Sequence, residues 1–130
     1  MRARILLAQA VPIAFIAACA GSAAHSGDRI DRAFRAIQRS EARIEAAGRQ
    51  VDGTLASTAR DAGACAERCA PLAEAIADAR RGASGVCETA ATLDDGDART
   101  RCERGNERSA AIQQRAAELR TRCGCGPEAP

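Results

Sequence analysis

Lysine, tryptophan and tyrosine are absent from this 130-residue chain, which has one histidine and two phenylalanines. Sites for sugars, nucleobases and most small ligands are lined with aromatic faces. Phe34 is the only aromatic residue beyond the first 18 positions, so a stacking site is excluded. Nowhere is there a glycine-rich phosphate loop or a nucleophile elbow. The lone histidine, His25, lies in a small-residue stretch and reads as a solvated residue, not a catalytic base. All 19 basic residues are arginine, and with alanine so abundant this points to GC-rich coding. Arg2 and Arg4 lie in the N-terminal segment discussed below. Without them the chain has 17 arginines against 17 acidic residues, a net charge of zero, which argues against nucleic acid as a partner.

What the chain does have begins at its N-terminus. Met1-Arg-Ala-Arg4 is a short positive segment, and Ile5 to Ile16 is an apolar run of signal-peptide length. A membrane-spanning helix needs about 20 apolar residues; this run contains Gln9 and Pro12 and gives way to polar sequence. It exits through Ile16-Ala17-Ala18-Cys19, which resembles the lipobox of bacterial lipoprotein precursors: an aliphatic residue, two small residues, then cysteine. The resemblance covers residues 1–19. It implies cleavage after Ala18, with diacylglycerol and often further acyl groups such as palmitate on Cys19, so that the partner is a lipid bilayer. In lipoproteins of enteric-type bacteria, the absence of Asp at position 20 implies the outer membrane. The other reading of these residues is an ordinary secretory leader cut after Ala20 or Ala24.

Cysteine arithmetic agrees with the lipobox. Of seven cysteines, one assigned to lipid leaves six, an even set for disulfides in an oxidising, exported compartment such as the periplasm.

The expected organisation is a leader over 1–18, a lipidated flexible tether over 19–27, a helical disulfide-rich domain over 28–126 and a tail over 127–130. From Asp28, a candidate N-cap, apolar residues recur every seven positions. One row is Ile30, Ile37, Ile44 and Val51; its neighbour is Phe34, Glu41, Gly48 and Leu55. Spacings of three and four put both on one helical stripe, predicting a helix to about Arg60. A second segment from about Asp61 has Cys65, Leu72, Ala79 and Val86 beside Cys69, Ile76, Ala83 and Ala90. Gly82 as a C-cap and Ser84 as a new N-cap predict a break or kink over 80–85. Residues 93–97 read as a turn, with Asp97 as N-cap, and not as a calcium loop, because spaced ligands and a closing Glu are missing. The third segment, 98–123, carries Ala98, Gly105, Ile112 and Leu119 beside Cys102, Ser109, Ala116 and Cys123. The run Cys-Gly-Cys-Gly-Pro over 123–127 ends it, since Gly and Pro do not propagate a helix. No segment alternates with period two. The fold class is all-α: a long N-terminal amphipathic helix plus a disulfide-stapled antiparallel helical hairpin, forming a three-helix bundle or coiled coil.

Facing residues in an antiparallel hairpin have nearly constant index sums. Pairing Cys87 with Cys102 across the turn sets that sum at 189, and the smallest spread at the far end then comes from Cys65–Cys125 and Cys69–Cys123. The pattern resembles the stapled helical hairpins called α-hairpinins, although Cys123-Gly-Cys125 stands where those have Cys-x-x-x-Cys. That resemblance is architectural and implies no activity. A competing reading places Cu(I), which favours soft thiolates, on Cys65, Cys69, Cys123 and Cys125, as in thiolate-rich helical bundles that store copper. The expected function is therefore a non-enzymatic cell-envelope lipoprotein without a cofactor. Its helices would pack on themselves, on a protein partner or on a second copy. The alternative is a periplasmic Cu(I) sequestration protein. Covalent tethering to peptidoglycan through a C-terminal lysine is excluded, since the chain has none.

Overall fold

The computed structural model describes residues 20–60 and 65–126, with side chains from Ser26 onward. The leader over 1–18, Cys19 and the tail over 127–130 lie outside the described residues. Three α-helices follow in order: α1 (Ala20–Thr58), α2 (Cys69–Ala90) and α3 (Gly96–Arg122), with a single 3-10 turn at Ala66–Arg68 leading into α2. No strand occurs among the described residues. The chain is all-α, as its periodicity predicts, and runs up, down and up, so α1 and α3 are parallel. Most contacts run through α2, which packs against both neighbours; α1 and α3 touch each other less.

The heptad rows become the core. Ile37, Ile44 and Val51 of α1 meet Leu72, Ile76, Ala79, Ala83 and Val86 of α2 and Ile112, Ala116 and Leu119 of α3. Seven of the fifteen buried apolar residues are alanine, so the helices lie close together and each contact buries little area. Ile30 and Leu55, on the same predicted stripe, are 44% and 43% exposed. For Ile30 the cause is length, whereas Leu55 borders a shallow depression with Val51 and Leu119. At about 1.5 Å per residue α1 runs about 58 Å, against about 33 Å for α2 and about 40 Å for α3. Residues 26–32 are all exposed and project past the hairpin end.

Three local expectations are corrected. Residues 20–27, expected as a flexible tether, are helical and continuous with the rest of α1, so Asp28 is inside a helix and is no N-cap. Ala20, Ala23 and Ala24 are strong helix formers, and a lone Gly27 costs only about 1 kcal/mol in a helix of this length. The break or kink expected over 80–85 does not interrupt α2. A Cβ on Gly82 would stand 2.6 Å from Ile44 Cγ1 and 2.9 Å from the Ser40 carbonyl oxygen. A Cβ on Gly85 would stand 2.6 Å from Ser40 Oγ. These glycines admit α1 against α2; they do not end a helix. Finally, the N-cap of α3 is Asp95, not Asp97. Asp95 has extended backbone (φ −138°, ψ 128°) and its Oδ1 accepts from Ala98 N at 2.8 Å. Asp97 sits in the first turn, where a carboxylate complements the helix dipole.

Polar groups in the core are satisfied locally. Thr54 and Ser109 are the buried polar residues. Thr54 Oγ1 donates to the Gln50 carbonyl and Ser109 Oγ accepts from Gln113 Nε2. Gln50 Nε2 donates to the Pro71 carbonyl at 2.9 Å, linking α1 to the first turn of α2, a position that tolerates proline.

Candidate functional site

Four of the six domain cysteines gather where α2 begins and α3 ends. Cys65 precedes the 3-10 turn, Cys69 opens α2, Cys123 is the C-cap of α3 and Cys125 lies two residues beyond. They pair as Cys65–Cys123 (Cα–Cα 5.0 Å) and Cys69–Cys125 (5.5 Å), and Cys87–Cys102 (4.6 Å) closes the other end. The Cys87–Cys102 bridge is the predicted one. The expected Cys65–Cys125 and Cys69–Cys123 bridges are exchanged.

The reason lies in the end of α3. Gly124 takes φ +66°, Gly124 N donates to the Thr121 carbonyl and Cys125 N donates to the Arg120 carbonyl at 2.9 Å. This pair of bonds around a left-handed glycine is a Schellman motif, which turns the chain back on its own helix. Cys125 therefore sits level with Arg120, five positions earlier along the axis. With 120 as its effective position, the constant index sum selects Cys69, and Cys123, still on the helix, faces Cys65. The assumption that failed was that position 125 continues the axial progression of the helix.

As disulfides, Cys65, Cys69, Cys123 and Cys125 carry no thiolate to offer Cu(I). Among the described residues no group of three or more His, Cys, Asp or Glu side chains is placed to hold a metal ion. Asn106 Nδ2 lies 3.5 Å from Cys87 Sγ and 3.9 Å from Cys102 Sγ, giving the near-end bridge a polar neighbour.

A second feature is the α1–α3 seam, opposite α2. It holds a chain of shallow depressions of about 200, 350 and 180 Å³. Their floor is Ile44, Gly48, Val51, Ile112 and Leu119, and charged residues rim it. Ion pairs bridge the rim at Arg101–Glu41 (3.1 Å), Arg108–Glu45 (3.6 Å) and Arg115–Asp52 (2.7 Å). The arginines are spaced by seven, so parallel helices bring each to the same line. Arg122 continues the spacing, but there α1 offers Leu55, and the last depression is lined by Val51, Leu55 and Leu119 with Glu118 and Arg122. The first rung is the most enclosed. Arg101 also binds Asp97 at 2.8 Å and its guanidinium lies 5.9 Å from the Phe34 ring centre. Its pKa is held above the ordinary value, chiefly by the hydrogen bond it donates to Asp97; partial burial opposes, and the charges of Glu41 and Asp97 add. A raised basic pKa contributes stabilisation that is lost as pH rises through it, so on the arginine's side this rung fails in strongly alkaline solution.

The apolar rows and the cysteines do not reveal this ladder. Its signal was the sevenfold spacing of Arg101, Arg108 and Arg115 and the intrusion of Glu41 into an apolar row. Comparison with known proteins finds no matching family model, no matching curated protein and no matching solved structure. No helix among the described residues is long and apolar enough to cross a membrane.

Proposed function

We propose that this chain is a non-enzymatic cell-envelope lipoprotein. Lipid on Cys19 holds it to a bilayer, and it presents a disulfide-clasped three-helix domain as a structural or protein-interaction module. The carrying observation is the closed set of cysteines. Cys65, Cys69, Cys87, Cys102, Cys123 and Cys125 pair with one another, which leaves Cys19, at the end of the lipobox, as the odd one. Three bridges suit an oxidising, exported compartment, and an outer-membrane address follows from the enteric-type rule at Ala20. Because α1 is helical from Ala20, a helical segment about 20 Å long, from residue 20 to residue 32, would join the module to its anchor. The α1–α3 groove is the surface on which a protein partner or a second copy would dock.

Mass spectrometry of the unreduced protein from envelope extracts tests this reading. The expected product starts at Cys19, carries acyl mass, incorporates labelled palmitate and lacks the hydrogens of six thiols. An exported chain cut after Ala20 or Ala24, without acyl mass, overturns the lipoprotein reading. Six free thiols that take up Cu(I) stoichiometrically would replace it with copper sequestration.

A further inference from the structure

Exposed arginines whose side chains have no ion pair or hydrogen bond among the described residues are scattered on α3, at Arg99, Arg104 and Arg122, but lie side by side on α1. Arg49, Arg81, Arg101, Arg108 and Arg115 are in ion pairs. By contrast, Arg29, Arg32, Arg35, Arg39 and Arg43 of α1 are all exposed. None of these five has an ion pair or hydrogen bond among the described residues. Their spacings of three, three, four and four place them within an arc of about 120° on the helix, extending along about 21 Å of its axis. The buried row Ile37, Ile44 and Val51 faces elsewhere. Asp28 lies within this arc and Asp31 beside it, and Glu41 is held on the other side by Arg101. The face thus carries five positive charges against two negative ones, on a chain whose remaining charges offset it.

We infer that this arginine stripe is a contact surface for anionic phospholipid headgroups, along which the N-terminal half of α1 lies. Three features select that occupant. The stripe begins on the part of α1 that projects beyond the bundle, ten residues from Cys19, so it stands nearest the anchor. Its charge is linear and net positive, matching a plane of phosphates, and basic residues beside a membrane each add attraction that falls off within a Debye length. Nucleic acid is the poorer fit, because the domain's one aromatic, Phe34, is turned to Arg101 and no other ring can stack on bases. The inference uses the proposed lipid anchor only for proximity. An anchored rod with a basic side lies along its membrane, which orients the α1–α3 groove.

The test maps arginine reactivity. The full chain, as extracted, is reconstituted with phosphatidylcholine vesicles with or without phosphatidylglycerol, treated with phenylglyoxal and mapped by mass spectrometry. Modification of Arg35, Arg39 and Arg43 is expected to slow several-fold on the anionic vesicles, relative to Arg99 of α3, and to recover in high salt. In an Arg35→Gln/Arg39→Gln/Arg43→Gln chain, which keeps good helix formers, Arg29 and Arg32 should lose most of their protection. Equal rates on both vesicles overturn the inference. So does protection by duplex DNA that vesicles fail to give, which would assign the stripe to a polyanion. Intact mass reports acylation separately: a chain without acyl mass that is still protected overturns the anchor and supports the stripe.

Discussion

Along the α1–α2 seam, Gly82 and Gly85 bring backbone against backbone, and a single added methyl would collide with Ile44 and Ser40. Along the α1–α3 seam, Gly48 and Gly105 leave room: a Cβ there would meet Ile112 at 3.4 Å and Ile44 at 3.6 Å. The first seam excludes water by proximity. The second stays grooved and is bridged at its rim by ion pairs, each worth little where exposed. Ile44 faces both, touching Gly82 on one side and Gly105 on the other. The same helix thus makes one rigid contact and one adaptable one, and the difference lies in whether charge or backbone sets the spacing.

The third seam, α2–α3, is the covalent benchmark. Its two far-end bridges close loops of 58 and 56 residues, nearly the same loop. Replacing all four of Cys65, Cys69, Cys123 and Cys125 with serine should cost about 4 kcal/mol in chemical denaturation. Removing either bridge alone should cost about 1 kcal/mol, because the survivor still closes the loop. Single removals that sum to the full loss would show that the bridges act independently.

The glycines give opposite signs on the two grooved and ungrooved seams. Gly82→Ala should destabilise by about 1–3 kcal/mol through overpacking. Gly105→Ala should stabilise by about 0.5–1 kcal/mol through helix propensity in an uncrowded site. Thermal unfolding followed by circular dichroism measures both; a Gly82→Ala protein that melts higher than the parent would remove the asymmetry. Smallest is Arg115→Gln, which breaks an exposed rung. It should cost no more than about 0.5 kcal/mol, a difference that high salt erases.

Much of this was readable in the sequence. The heptad rows Ile37–Ile44–Val51, Leu72–Ala79–Val86 and Ala98–Gly105–Ile112–Leu119 are buried as their periodicity requires. Cys87–Cys102 followed from the turn between its partners. Two of the failures share a cause: one residue type serves two purposes. Glycine ends helices and also lets them touch, and Gly82 does the second while Gly124 does the first. Aspartate at 95 and at 97 are equally good caps by composition, and only backbone conformation separates them. The α1–α3 ladder needed knowledge of which helices are parallel, which no single row contains.

The turn at Gly124 has a consequence for how the chain matures. Until α3 is wound to its last residue, the thiols of Cys123 and Cys125 are near neighbours on a loose strand, with nothing to distinguish them for Cys65 or Cys69. Once the left-handed glycine folds Cys125 back over the helix, each sulfur has one partner within reach. Correct pairing thus depends on a backbone turn, and oxidation of the unfolded chain is expected to yield the exchanged isomer alongside the native one, which disulfide mapping would read. The helix end works as a sorting step, matching sulfurs by geometry before chemistry makes the choice permanent.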